Sequence, residues 1–244
     1  MAQSAHETIL NHRSIRRFSS EPIPRETLET VVRAAQMAPS SCFYQAYTII
    51  HVTSKDTRAL LHRVSGGQNC VNSAAEILVF CADFHRGVSY FEDIDPAVIE
   101  NTEYYTVAVI DAALAGQNAL VAAESLGLGG VMVGGIRSGI AEVAKALELP
   151  KLVVPLFALC LGWPDGNPGQ KPRLPMAAVL KENVYGTGGD DAAIAAYNHT
   201  NEAYYTEREG QPDRWTHRCG ASLMTDTRDC VGAFAREQGF LKRD

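Results

Sequence analysis

The segment VAVIDAALAGQNALVAAESLG, residues 107–127, constrains the fold of this chain more than any other feature. As a helix it is apolar on nearly every side, so it must be covered all the way round by protein or by lipid. Four polar or charged side chains interrupt it: Asp111, Gln117, Asn118 and Glu124. Each of them would be costly inside a bilayer. We therefore predict a helix that runs through the centre of the protein or into a subunit interface, and no membrane partner.

The composition is that of a globular protein, with 46% hydrophobic and 20% charged residues. The formal net charge of -6 excludes nucleic acid as a partner for the surface as a whole, although a local basic pocket can bind a small anion. The start of the chain, MAQSAHETIL, lacks the pattern of an export signal, so a cytoplasmic location is expected. The six cysteines include no C-x-x-C pair, which favours reduced thiols.

Helical and strand patterns alternate along the chain. Strands are predicted over residues 46–52, 76–84 and 129–135. Helices are predicted near residues 3–12, over residues 24–38, 54–64 and 138–147, and again from about residue 190, with Ser54 and Ser138 as N-caps. These elements indicate an α+β or α/β fold. Because no linker or repeat divides the sequence, we predict one domain over residues 1–244 with a helical C-terminal extension.

The glycine-rich segment GLGGVMVGG, residues 127–135, follows the long helix. It matches neither the dinucleotide fingerprint G-x-G-x-x-G nor the phosphate loop G-x-x-x-x-G-K-[ST]. Two interpretations of Gly134 and Gly135 stay open. They pack the end of a strand, or they let the backbone approach a flat ligand and offer it N–H groups.

Metal and nucleophile chemistry find little support in the sequence. Two pairs of metal-ligating side chains, Cys81 with His85 and His217 with Cys219, lack two further ligands at a suitable spacing. We therefore predict no metal site. The chain has no G-x-S-x-G motif, and no pair of nucleophile and base is supported by more than residue type.

The first of two basic stretches is HRSIRR, residues 12–17. In an extended backbone, alternate side chains point to opposite faces. One face then carries His12, Ser14 and Arg16, and the other carries Arg13, Ile15 and Arg17. The first face combines an imidazole, a guanidinium and a short hydroxyl, a set of donors that suits an anionic ligand.

The second basic stretch is GQKPRLP, residues 169–175. Pro172 disfavours the helical region for the residue before it, so the segment is predicted to be extended. Lys171 and Arg173 then point the same way. Either basic stretch alone is typical of a solvated surface. Together they predict a phosphate site that combines a lysine point charge with forked arginine donors.

Five segments share the order and spacing of a known family: HRSIRRF (12–18), APSSCFYQ (38–45), GGQ (66–68), GQNALVAAESLGLGGVMVGGIR (116–137) and LCLGWPDGNPGQKPRLP (159–175). They resemble the oxygen-insensitive NADPH nitroreductase and NADPH-flavin reductase family. The resemblance runs through nearly the whole chain, although residues 86–105 are longer and more aromatic here. It implies an α+β fold, with a central, mostly antiparallel sheet flanked by helices, and an intertwined homodimer with FMN at its interface.

The resemblance also implies which residues bind FMN. The phosphate would lie on His12, Lys171 and Arg173, with Arg13 and Ser14 along the ribityl chain and phosphate. The ring would meet Gln68 and the Gly134–Gly135 backbone, and the partner subunit's flavin would be reached by Ser40, Ser41 and Gln45. Arg16 is implied near N1 and O2 of the ring. Arg16 is therefore the residue expected to act in catalysis, because a guanidinium at this place raises the reduction potential of the flavin.

The activity that the resemblance implies is hydride transfer from NADPH through FMN to a nitroaromatic, a quinone or free flavin, with ping-pong kinetics. Two alternatives stay open: reductive dehalogenation or another reduction on the same scaffold, and a flavin-binding carrier or sensor without turnover. The cations proposed to recognise the NADPH 2′-phosphate are Arg208 and Arg214, in a loop predicted around Gly210 and Pro212. Acidic neighbours make ordinary solvated arginines the competing interpretation.

Overall fold

The computed structural model describes residues 4–225 and 227–243. The chain divides into two compact units. Unit 1 comprises Met1–Pro168 and Arg228–Asp244, and unit 2 comprises Gly169–Thr227. The prediction of one domain with a C-terminal extension stays a prediction. Unit 1 contains the sheet and the long apolar helix, whereas unit 2 is built from helices and connecting segments.

The sheet of unit 1 has strands β1 (Tyr47–His51), β2 (Glu76–Asp83), β3 (Gly129–Val133) and β4 (Val153–Gly162), in the order β1-β2-β4-β3. All of its neighbouring strands pair antiparallel, which confirms the predicted α+β fold with an antiparallel sheet. The central strands β2 and β4 are apolar along nearly their whole length because both faces of the sheet are covered.

The helices lie in chain order as α1 (Ala5–Leu10), α2 (Arg25–Gln36), α3 (Lys55–Val64), α4 (Asn69–Ser73), α5 (His85–Tyr90), α6 (Thr102–Ser125), α7 (Ile140–Ala146), α8 (Met176–Val179), α9 (Asp190–Glu209), α10 (Trp215–Thr225) and α11 (Cys230–Gln238). Short 3-10 turns cover Ser41–Phe43, Pro96–Glu100 and Gly134–Gly139. Alternate residues of β2 contribute to two separate cores. Leu78 and Phe80 pack in the core that includes α2 and α6, whereas Ile77 and Val79 pack in the core that includes α3 and α7.

Helix α6 is the predicted central helix, and it begins five residues before the predicted start at residue 107. Its earlier start follows from Asn101, whose side-chain oxygen accepts a hydrogen bond from the Glu103 N–H at 2.7 Å. Gly116 lets it approach the sheet closely, because a Cβ there would come within 2.6 Å of Phe157. The helix meets the length and hydropathy expected of a membrane span, and 50% of its most apolar window is buried inside the protein.

The two predicted serine caps have different outcomes. Ser54 caps α3 as predicted, and its hydroxyl accepts a hydrogen bond from the Thr57 N–H at 3.3 Å. The prediction for Ser138 was wrong, because this residue lies inside the 3-10 turn that precedes α7. The cap of α7 is Gly139, and the Ser138 hydroxyl accepts instead from Arg228 Nε at 3.2 Å.

Candidate active site

The basic segment of residues 12–17 lies alongside β3. The Ile15 N–H donates to the Gly130 carbonyl at 3.0 Å, and the Ile15 side chain packs on Gly129. A Cβ at Gly129 would come within 2.6 Å of Ile15, so only glycine allows the segment to lie this close. The strand therefore fixes the position of the basic side chains.

Arg13 and Ile15 line one pocket, whereas Arg17, which was predicted on the same face, is not among its lining residues. The pocket has a volume of about 410 Å³, and Glu124 and Asn167 also line it. Arg13 donates to the Asn167 side-chain oxygen at 3.0 Å. Arg17 forms an exposed ion pair of 3.0 Å with Asp165. The guanidinium groups of Arg13 and Arg17 therefore both have acceptors within the protein.

His12 is held from one side by a carboxylate. Its Nδ1 lies 2.6 Å from Glu124 Oε1, and the Glu124 side chain is only 12% exposed. The other carboxylate oxygen, Oε2, is buried and has no hydrogen-bond partner among the described residues. Because Nδ1 faces Glu124, Nε2 is the ring nitrogen left to meet a ligand.

Arg16 is exposed and forms no hydrogen bond or ion pair with the described residues. Its charge reaches the buried thiol of Cys70. A hydrogen bond with Cys160 and, to a smaller extent, the positive charge of Arg16 lower the pKa of Cys70 to about 7, although burial of the thiol opposes the shift. The guanidinium of Arg16 is thus available to a ligand close to residue 70.

Gln68 and Gly135 lie side by side. The Gln68 side chain donates to the Ser65 carbonyl at 3.0 Å, and a Cβ at Gly135 would come within 3.1 Å of both Gln68 Nε2 and Ser65 Cα. A Cβ at Gly134 would lie 3.0 Å from the Arg137 guanidinium. A Cβ at either glycine would therefore be a tight fit within the protein, and the contact of both glycines with a flat ligand stays a prediction.

The loop of residues 40–46 carries the three residues assigned to the partner's flavin, and it is tied to α6. The Ser40 hydroxyl donates to Asp111 Oδ2 at 2.7 Å, and the Ser41 N–H donates to Oδ1 at 3.3 Å. The Ala46 N–H donates to Oδ2 at 2.9 Å. Sequence reasoning missed this role of Asp111 and treated the residue only as an interruption of an apolar helix. The available signal was that a carboxylate in such a helix needs donors from elsewhere.

The segment of residues 86–105, whose role the sequence left open, packs against the same loop together with the preceding Phe84. Arg86 donates to the Thr48 hydroxyl at 2.7 Å and to the Tyr47 carbonyl at 3.2 Å. Tyr44 meets Phe84 edge to face, with ring centroids 5.5 Å apart, and meets Tyr104 at 6.2 Å. This aromatic segment thus supports the C-terminal end of the loop.

In unit 2, Lys171 and Arg173 are both exposed. The Lys171 ammonium lies 5.6 Å from the centre of the Tyr205 ring, and Arg173 donates to the Lys171 carbonyl at 2.7 Å. The Tyr197 hydroxyl donates to the Pro172 carbonyl at 2.9 Å, which ties the segment to α9. Two cations are therefore held on one anchored segment of this unit.

The loop predicted around Arg208 and Arg214, the two arginines that the sequence suggested for the nucleotide phosphate, is only partly a loop. Arg208 lies in the last turn of α9, where it donates to the Tyr204 hydroxyl at 3.0 Å, so its placement in a loop was wrong. The helix ends at Gly210, whose φ of 76° suits glycine. Arg214 follows the turn and lies 3.7 Å from Glu202.

Arg218, which lies close to the residues of α9 described above, was not identified from the sequence. Its guanidinium forms hydrogen bonds of 3.0 and 3.2 Å to the two carboxylate oxygens of Glu209 and lies 4.2 Å from the centre of the Tyr205 ring.

All six cysteines are free thiols. Within residues 4–225 and 227–243, no group of three or more His, Cys, Asp or Glu side chains is arranged to hold a metal ion.

Comparison with known proteins places both parts of the chain in one family. The Nitroreductase family matches residues 9–163, and the C-terminal domain of the Nitroreductase family matches residues 171–243. This chain belongs to the nitroreductase family. It is 42% identical to the oxygen-insensitive NADPH nitroreductase of Salmonella typhimurium, over 97% of this chain and 98% of that protein.

Two further relatives have names that specify a flavin. The FMN reductase (NADPH) of Bacillus subtilis is 39% identical over 97% of this chain and 98% of its own length. The NADPH:FMN oxidoreductase of Vibrio harveyi, solved in complex with NAD+, has a TM-score of 0.90 and 38% identity, over 98% of this chain and 99% of that chain. The family that the sequence motifs indicated is therefore confirmed.

Proposed function

We propose that this member of the nitroreductase family is an FMN-dependent oxidoreductase that takes hydride from NADPH and reduces nitroaromatics, quinones or free flavin. The observation that carries the proposal is the near full-length similarity to relatives named as NADPH-dependent nitroreductase and FMN reductase. Reductive dehalogenation on the same scaffold is the second candidate reaction. A flavin carrier without turnover is the alternative from another class. The free thiols support a cytoplasmic location.

The donor groups of unit 1 fit an FMN ligand. His12 presents Nε2 because Glu124 occupies Nδ1, and Arg16 has no protein acceptor among the described residues. Gln68 lies beside the close-packed backbone of Gly135. We assign His12, Arg13 and Ser14 to the phosphate and ribityl chain, and Arg16, Gln68, Gly134 and Gly135 to the ring. In unit 2, Lys171 and Arg173 are assigned to the phosphate, because both cations are exposed on an anchored segment.

When bound, FMN would supply the two-electron chemistry, taking hydride from NADPH and giving it to the acceptor after the nicotinamide has left. Arg16 would stabilise the negative charge that reduction adds near N1 and O2. No side chain has to act as acid or base in this scheme. The site residues would bind the FMN phosphate, orient the flavin ring and adjust its reduction potential. An acceptor is then selected by its electron affinity and by stacking rather than by hydrogen bonds.

The experiment that tests this function measures NADPH oxidation with a panel of acceptors: a nitroaromatic, a quinone, free FMN and a halogenated aromatic. Rapid oxidation with one of the first three supports the proposal. Reaction confined to the halogenated compound would favour the second candidate, and bound FMN without oxidation of NADPH by any acceptor would favour the carrier.

Arg16→Gln should retain FMN but lower its reduction potential. The phosphate ligands survive this change, whereas a charged hydrogen bond near the ring, worth ~1.5–3 kcal/mol, is lost. For a two-electron couple this corresponds to a potential roughly 30–60 mV more negative. Spectroelectrochemistry measures the shift. Arg17→Gln is the matched control, because Arg17 already pairs with Asp165. An unchanged potential in Arg16→Gln would remove the proposed role of Arg16.

We also propose that the active unit is a homodimer, in which Ser40, Ser41 and Gln45 reach the partner's flavin. The support is an apolar surface on α6, where Ile110 is 50% exposed and Leu114 is 39% exposed one turn further along. Apolar side chains of a core helix that remain uncovered are typical of an interface.

Sedimentation should therefore show a species of twice the mass of one chain. Ile110→Glu combined with Leu114→Glu should shift it to the monomer and abolish most of the activity, because charge is unfavourable in a buried interface. Leu223→Glu, at an exposed position of unit 2, is the control. A fully active wild-type monomer would contradict the dimer proposal.

A further inference from the structure

We infer that Asp111 is a positioning residue, which fixes the loop of residues 40–46 and thereby sets the places of Ser40 and Ser41. The part of this inference that places the partner's flavin against the loop rests on the proposed function. The anchoring itself rests on contacts within unit 1.

The Asp111 carboxylate is buried. The residue is 1% exposed, on a helix whose neighbouring residues are mostly apolar. A buried carboxylate is strongly unfavourable unless donors surround it. All of its hydrogen-bond donors come from the loop: the Ser40 hydroxyl and the N–H groups of Ser41 and Ala46. The carboxylate and the loop therefore satisfy each other, and neither can move without leaving polar groups unpaired.

The loop itself has an unusual backbone conformation. Cys42, Phe43 and Gln45 have φ values of 46°, 59° and 52°, in the left-handed region that side chains with a Cβ rarely adopt. Three such residues in a short segment persist only if outside contacts hold it. The Ser40 hydroxyl extends the anchor, because it donates to Asp111 and accepts from the Gln45 N–H at 2.7 Å.

The remaining supports act on the C-terminal half of the loop and on the strand that follows it. Arg86 binds the carbonyls of Gln45 and Tyr47 and the Thr48 hydroxyl, and Tyr44 packs in an aromatic cluster. These contacts fix residues 44–48, where the chain enters β1. Among the described residues, only the carboxylate of Asp111 accepts hydrogen bonds from Ser40 and Ser41. Loss of that carboxylate should therefore release Ser40 and Ser41, two of the three loop residues assigned to the flavin.

Asp111→Asn tests this with little change in volume. An amide has one acceptor oxygen and would turn its NH₂ group toward loop donors, so at least one hydrogen bond is lost. Hydrogen exchange of peptides covering residues 40–46 should become roughly tenfold faster or more. The dissociation constant of FMN should rise about tenfold, which corresponds to about 1.4 kcal/mol. At saturating FMN, kcat should return to within about twofold of wild type.

Ala119→Gly is the matched control for a general loss of stability. This buried alanine lies on the same helix, and glycine weakens a helix without removing a polar contact. Loop exchange and FMN affinity should stay at the wild-type level. If Asp111→Asn does not fold, Ser40→Ala measures the anchor through loop exchange, because it removes the hydroxyl between Asp111 and Gln45.

Unchanged loop exchange in Asp111→Asn would overturn the anchoring. Faster exchange with unchanged FMN affinity would overturn the positioning role, while the proposed function would stand. If the wild-type chain binds no FMN, the proposed function and the positioning role both fail, and loop exchange still decides whether Asp111 anchors the loop.

Discussion

Replacing Lys171 and Arg173 together with alanine is expected to strip most of the FMN from this chain. Both side chains are exposed cations on a segment that Tyr197 holds in place, so the change removes the two proposed phosphate donors without removing a buried contact. Two charged hydrogen bonds to a phosphate, each worth ~1.5–3 kcal/mol, correspond to a dissociation constant weakened by roughly 10²- to 10⁴-fold. Fluorescence titration of apoprotein with FMN measures the loss.

The control for this double variant is Arg25→Ala with Arg33→Ala. It removes the same number of exposed positive charges from α2, where both arginines pair with Glu29. FMN affinity should then stay at the wild-type level. Equal weakening in both double variants would show that net charge, rather than direct binding of the phosphate, accounts for the effect.

The second large effect is expected from Arg208→Ala, which should lower kcat/KM for NADPH by roughly 10- to 150-fold and barely change it for NADH. The loss is that of one charged hydrogen bond to the 2′-phosphate, worth ~1.5–3 kcal/mol. The Tyr204 hydroxyl already holds the guanidinium at the end of α9, which reduces the entropy lost when it binds a ligand. Steady-state kinetics with both nucleotides decides the matter, and NADH serves as the internal control.

Arg214→Ala should also lower kcat/KM for NADPH more than for NADH, but by a smaller factor than Arg208→Ala. Arg214 lies 3.7 Å from Glu202, and this neighbouring carboxylate competes with a phosphate for its charge. Equal losses with NADPH and NADH in Arg208→Ala would show that the end of α9 shapes the pocket without binding the 2′-phosphate. A native preference for NADH would contradict the assignment of both arginines.

Much of the fold could be predicted from apolar periodicity. Strand β2 and the long helix α6 were predicted because both are nearly continuous apolar segments of characteristic length. Ser138 was misplaced because a 3-10 turn and an α-helix begin with similar residues, and only contacts distant in the sequence choose between them. Its partner Arg228 lies far along the chain and gives no local signal.

The site was predictable to the extent that it follows a local pattern. Of the face predicted for residues 12–17, Arg13 and Ile15 line one pocket and Arg17 does not. The role of Asp111 could not be predicted in this way, because its donors come from residues about seventy positions away. Glu124 was missed as the partner of His12 for the same reason. A charged residue inside an apolar helix indicates that a partner exists, but only the fold identifies it.

An anaerobic titration of the purified chain shows whether bound FMN passes electrons from NADPH to a small acceptor. We predict a yellow protein with about one FMN per chain. Its flavin absorbance should be bleached by about one equivalent of NADPH, because a flavin takes up a single hydride, and should return when a quinone or nitroaromatic is added. A colourless protein with no affinity for FMN, or a bound flavin that NADPH does not bleach, would contradict the proposed function.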